Sequence, residues 1–127
     1  MTIKEVSNKY DITQDTIRYY ERIGLLPPVP RNKSGIRDFD EKSCKWLEFI
    51  KCMRSAGMQI EALIEYMSLF RQGKDTALAR KNLLLEQREI LEQKRDDINN
   101  TLEKLDYKIK LYEEIIDGKR KDFMEEP

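Results

Sequence analysis

The basic side chains Arg18, Arg22, Arg31, Lys33 and Arg37 fall in one stretch, and Glu21 is the only acid between positions 16 and 37. The stretch reads Thr16-Ile17-Arg18-Tyr19-Tyr20-Glu21-Arg22-Ile23-Gly24-Leu25-Leu26-Pro27, then Ser34-Gly35-Ile36-Arg37-Asp38-Phe39. Guanidinium forks bind phosphates and guanine edges, and each phosphate neutralised releases counterions. Such a cluster, on a helix that stops at a glycine and runs into a glycine-turned loop, suits double-stranded DNA. A second chemistry belongs to Cys52, which lies beside Lys51 and Arg54. Cations near a thiol favour the thiolate, which attacks soft electrophiles or is oxidised. A cysteine can equally be a small apolar filler, so both roles fit Cys52. Cys44, near a helix start, is a weaker candidate for reactivity.

Caps and periodicity locate the elements that must position these groups. Thr2-Ile3-Lys4-Glu5 fits a capping box opening a short helix to about Lys9, with Ile3 and Val6 inward. Tyr10-Asp11-Ile12 makes a turn, and Thr13 caps a second helix with Asp15 near its positive end. Ile17 and Tyr20 share the inner face of that helix, which turns Arg18, Tyr19 and Arg22 towards solvent or a ligand. Gly24 can end the helix in the left-handed conformation, and Pro27, Pro28 and Pro30 keep it from resuming. Asn32-Lys33-Ser34-Gly35 reads as a turn between two short extended pieces, at 29–31 and 36–39, so a small β-hairpin wing is expected. Asp40 caps a third helix reaching about Ala56, with Leu47, Ile50 and Met53 inward. Gly57 breaks it, and a fourth helix carries Ile60, Leu63, Ile64 and Met67 on one stripe. Trp46, Phe49, Met58 and Met67 read as packing residues.

The last element runs from about Thr76 to Asp117 without proline or glycine. Leu84, Leu91, Ile98, Leu105 and Tyr112 recur every seven residues, and Leu102, Ile109 and Ile116 complete a seam in the second half only. Lys81, Arg88 and Arg95 take that position in the first half. A helix of this length spans about 60 Å, too long to bury on the preceding residues, so the heptad implies a partner helix, most simply from a second copy. The expected organisation is a winged helix-turn-helix over 1–71, a linker over 72–75, a dimerisation helix over 76–117 and a short tail over 118–127. The fold class is mainly α.

Together these residues resemble the MerR family of bacterial transcription regulators. The likeness covers essentially the whole chain. It rests on the motif at 16–39 and on Phe49-Ile50-Lys51-Cys52-Met53-Arg54-Ser55-Ala56-Gly57-Met58. The resemblance implies a second helix in the major groove, with Arg18 and Tyr19 on the DNA and Thr13 and Thr16 at its phosphate-facing start. It assigns Arg31, Lys33, Ser34 and Arg37 to the wing, and Arg54 to a backbone contact near a second wing. It also implies a homodimer joined by an antiparallel coiled coil on a palindromic promoter operator. Such a dimer distorts the DNA for RNA polymerase, in a bacterial cytoplasm and on the nucleoid when bound. The position of Cys52 matches the single cysteine of the thiol-dependent, AdhR/NmlR-like subgroup, which implies a response to aldehyde or carbonyl stress. The alternatives are a similar regulator with another effector and a structural Cys52, or an architectural DNA-binding protein.

Composition narrows the rest. The 24 basic and 24 acidic residues balance, so the chain is not a generally basic nucleic-acid coat. Charged residues make up 38%, high for a globule and ordinary for one with a long exposed helix. No apolar run is long enough to cross a membrane and no signal-peptide core is present, so a soluble cytoplasmic protein without a membrane partner is expected. With no histidine and no glycine-rich phosphate loop, an enzyme is not expected. The two cysteines lie eight residues apart on one helix, a rise of about 12 Å, too far to chelate one ion or form a disulfide. Neither a metal nor a cofactor is expected. The residues after Gly118 are too few to enclose a ligand pocket.

Overall fold

The computed structural model describes residues 1–120. Thr2 closes the expected capping box. Its Oγ1 accepts the Glu5 N–H at 3.1 Å while Glu5 Oε1 accepts the Thr2 N–H at 3.1 Å, which starts α1 (Ile3–Tyr10). Asp11 turns the chain in the left-handed region at φ 53°, which a short polar side chain tolerates. Thr13 then caps α2 (Gln14–Arg22), its Oγ1 accepting the Thr16 N–H at 3.2 Å. Asp40 caps α3 (Glu41–Ser55) through Ser43 N–H at 2.8 Å, and α4 (Ile60–Gln72) follows the turn at Gly57. The long helix α5 is Ala77–Ile116.

One apolar core joins α1 to α4. Val6, Ile17, Leu25, Leu26, Leu47, Ile50, Leu63 and Met67 are fully buried, and Val29, Phe39, Cys44 and Met58 extend the cluster. Each large aliphatic side chain buried this way stabilises the fold by about 1.5–3 kcal/mol. Tyr20, Trp46, Phe49, Met53, Ile60 and Ile64 pack half-buried against it. Trp46 meets Phe70 edge-on at 5.1 Å and Phe49 at 6.1 Å between ring centroids, a geometry that ring quadrupoles favour.

The β-hairpin wing is not formed as expected. Its two stems are joined by a single antiparallel bridge, Arg31 to Arg37. The prolines explain the shortfall. Pro30 accepts the Asp38 N–H at 2.7 Å but has no N–H to return, and Pro28 likewise cannot extend a ladder. The wing is therefore a loop, anchored by buried Val29 and Phe39 and exposed between them except for half-buried Arg37.

Of residues 72–75, expected as a linker, Gln72 ends α4 and the others enter a tight turn. Gly73 at φ 103° leads into a short 3-10 turn, Lys74–Thr76. Thr76 Oγ1 lies 2.6 Å from the Leu69 carbonyl and 2.7 Å from that of Gly73. Arg80 donates from Nε to Thr76 Oγ1 at 3.1 Å and lies 5.4 Å from the Phe70 ring. The contact pattern divides the chain into a first unit, residues 1–91, and a second from Glu92 onward. In the first unit Leu83 is buried, Leu91 half-buried and Leu84 exposed. In the second, Leu111 is buried, whereas Ile98, Leu102, Leu105, Ile109, Tyr112 and Ile116 are 49–81% exposed. The tail expected from Gly118 is described only to Arg120; the rest of it lies outside the described residues.

Gly24 ends α2 at φ 82°, and a Cβ there would sit 3.2 Å from the Arg71 guanidinium, which donates from Nη2 to the Gly24 carbonyl. Gly35 has a similar φ of 77° but open space around it. Both Gly24→Ala and Gly35→Ala should destabilise the fold by about 1–2 kcal/mol through the backbone alone. Gly24→Ala should cost more, because Arg71 must also move. Urea denaturation of the two variants checks the order, and equal losses would remove the role given to Arg71.

Candidate nucleic-acid interface

The surface begins with the helical repeat of α2. Residues 15, 18, 19 and 22 share one face by their spacing, and residues 17, 20 and 21 share the opposite one. On the outer face Arg18 donates to Asp15 Oδ1 at 3.1 Å and to Gln14 Oε1 at 3.3 Å. The first is exposed and easily exchanged and the second part-buried, and together they hold the guanidinium near the start of the helix. Tyr19 is 38% exposed, and the Arg22 guanidinium lies 5.3 Å from its ring. The Thr13 hydroxyl also lies 2.7 Å from that of Thr16, which places two hydroxyls at the positive end of the helix.

The inner face carries the residue that organises the site. Glu21 extends beneath the loop and accepts the Val29 N–H on Oε2 at 2.6 Å and Arg37 Nε on Oε1 at 2.7 Å. One carboxylate thus holds both ends of the loop to α2. The side chains of Arg37 and Glu21 are only 23% and 15% exposed, so this ion pair is shielded from water. Burial pushes the Glu21 carboxyl up, but the Val29 amide and Arg37, with Arg31 adding its field, outweigh it and hold the group below its ordinary value.

The loop tip is fixed by backbone and amide chemistry. Asn32 Oδ1 accepts the N–H groups of Ser34 at 2.9 Å and Ile36 at 3.1 Å, while Asn32 N–H donates to the Ile36 carbonyl at 2.8 Å. Arg31 Nη1 donates to the Gly35 carbonyl at 2.7 Å. Lys33 and Ser34 are exposed at the tip.

The fold therefore brings Arg31, Lys33, Ser34 and Arg37 onto one loop and joins that loop to the helix bearing Arg18 and Tyr19. Arg54 is placed differently. It lies at the end of α3, where Nη1 donates to the Met58 carbonyl at 2.7 Å and closes the turn to α4. Cys52 is exposed and Cys44 is buried, so Cys44 is the apolar filler of the pair. The cations flanking Cys52 are both engaged with backbone carbonyls, Lys51 with that of Tyr10 and Arg54 with that of Met58. Sequence reasoning noted Glu21 only as the lone acid of its stretch and Asn32 only as part of a turn, and missed the bonds that each accepts. The signals for them were a lone acid in a basic stretch and an Asn three residues before a glycine. Among the described residues no group of three or more potential ligands could hold a metal ion, and no helix is long and apolar enough to cross a membrane.

Comparisons with known proteins agree on one family. The model for the MerR HTH family regulatory protein matches residues 1–69, and the one for MerR, DNA binding, matches residues 44–107. The HTH-type transcriptional regulator AdhR of Bacillus subtilis is 57% identical over 91 residues, which cover 72% of this chain and 65% of AdhR. The match thus spans just under two thirds of that relative's length. A MerR family transcriptional regulator from Listeria monocytogenes is similar in structure, with a TM-score of 0.85, 49% identity and coverage of 89% and 86% of the two chains. HiNmlR, a MerR family regulator lacking the sensor domain and solved bound to promoter DNA, has a TM-score of 0.81, 28% identity and 90% coverage of each chain.

The lowered Glu21 value fixes a pH dependence. A carboxyl held down in the folded state adds stability above its unfolded value and loses it as pH falls through the folded one. Glu21→Gln should therefore lower stability by about 1.5–3 kcal/mol at neutral pH, the usual worth of a charge-assisted hydrogen bond. The gap to wild type should close as pH drops below the ordinary carboxylate value of 4.5. Thermal unfolding across that range is the measurement, and a gap that does not change with pH would remove the ion pair as its source.

Proposed function

Because the chain belongs to the MerR family of DNA-binding transcriptional regulators, and is a regulator rather than an enzyme, we propose that it acts as a homodimer on a palindromic promoter operator. The observation that carries this reading is the uncovered seam of α5. Ile98, Leu102, Leu105 and Ile109 are each about half exposed or more, and a continuous apolar stripe of that kind needs a partner helix. An antiparallel coiled coil between two copies covers it and carries two α2 helices to two half-sites. Thr13, Thr16, Arg18 and Tyr19 then meet the major groove and its phosphates, Arg31, Lys33, Ser34 and Arg37 meet the adjoining backbone, and Arg54 meets a flanking phosphate. The dimer bends and untwists the operator so that RNA polymerase can engage the promoter, in the cytoplasm and without a metal or cofactor. The DNA-bound state of HiNmlR supports promoter binding by a chain of this architecture.

The proposed signal is a carbonyl electrophile or oxidant acting on Cys52. Its exposure supports this role, as does the likeness to AdhR. Two measurements test the reading. In vitro transcription from the cognate promoter, with and without an aldehyde, should show that Cys52→Ala loses the response while keeping operator affinity. A normal response would leave another effector in charge. Replacing Leu102 and Ile109 by Glu should give monomers in sedimentation equilibrium and lower operator affinity by at least about tenfold, since two half-sites are then no longer linked. Dimers that persist would move the interface elsewhere.

A further inference from the structure

We propose that Glu21 is a positioning residue for DNA recognition: it sets the loop of residues 29–39 against α2, and through Arg37 it determines how the loop meets the DNA backbone. The inference rests on the DNA-facing roles proposed above for α2 and the loop. A carboxylate in the last turn of a helix faces the negative end of the helix dipole, and beside a phosphate-binding surface it repels the ligand. Glutamate at this position is costly unless both oxygens are engaged. Here both are, one by the Val29 amide at 2.6 Å and one by Arg37 Nε at 2.7 Å.

The two donors come from opposite ends of the loop; Met1 also holds the far end, through Asp38 and the Phe39 backbone, whereas Glu21 ties both ends to α2. Glu21 replaces the missing ladder. It is also too enclosed, at 15% exposure, to meet DNA itself, so its effect passes through Arg37. Arg37 spends Nε on Glu21, which fixes the plane of its guanidinium and leaves the Nη pair as a fork for a phosphate. A shorter carboxylate cannot substitute: an aspartate side chain, one methylene less, does not reach both donors from the inner face of α2.

The test uses the full chain and a duplex that the wild type selects from a random pool, compared with a random duplex over a salt series. Glu21→Gln keeps an acceptor for Val29 and loses the ion pair. It should weaken binding about tenfold, the loss of one charge-assisted contact, and do so on the selected and the random duplex alike, because a phosphate contact carries no sequence information. The double variant Glu21→Gln/Arg37→Gln should bind no more weakly than Arg37→Gln alone. Selected-duplex binding by Glu21→Gln at or above wild-type strength would overturn the proposal, as would losses that add in the double variant. Should Glu21→Gln fail to fold, Arg37→Lys decides. It retains the charge and the Glu21–Val29 bond but not the fork, so wild-type affinity overturns the proposal and a loss of about tenfold supports it. A wild type that selects no duplex would remove the DNA-facing roles themselves, and this inference with them.

Discussion

The two hydrogen bonds that Glu21 accepts from Val29 and Arg37 set the relation between the helix and the loop of the basic surface. The core alone does not determine it. Val29 and Phe39 seat the ends of the loop, yet the residues between them are mostly exposed and joined by one bridge. A shielded carboxylate is a directional constraint where apolar burial is not. It also accounts for an acid inside a stretch otherwise suited to phosphate. Around it, the Asn32 amide and the Arg71 contact to Gly24 settle the two turns that bound the assembly.

Much of the fold was legible in the sequence because helices advertise their ends. Thr2, Thr13 and Asp40 cap as their types and spacing predict, and each starts the helix expected of it. The heptad located α5 to within a residue or so at either end, since no proline or glycine interrupts it. The wing was read too generously. A turn signal flanked by short apolar pieces looks the same whether or not the flanking residues can donate to a ladder, and Pro28 and Pro30 cannot. The inward faces of the helices were legible from the same periodicity, as the burial of Leu47, Ile50, Leu63 and Met67 shows.

The site was legible in part. Composition picked out the arginines, whereas partner choice depends on which segment returns beside which. Glu21 and Arg37 lie sixteen residues apart and meet only because α2 ends at Gly24 and the loop folds back. The cysteines separate for a simpler reason. Eight residues at 100° per residue leave two side chains about 80° apart around a helix. Cys44 therefore falls in line with Leu47 and the core, and Cys52 does not. The likeness to AdhR and to HiNmlR joins these local readings to one family, while the exposed seam of α5 is the physical ground on which pairing is proposed.

The loop tip has a consequence for divergence. Its conformation is encoded by Asn32, whose side chain takes two backbone amides, and by Gly35, which supplies the positive φ. Lys33 and Ser34 contribute side chains to the surface but are not needed to shape the turn. Those two positions can drift in charge and size at little cost to folding. The charge and size of the loop tip can thus change one substitution at a time, with the scaffold unchanged.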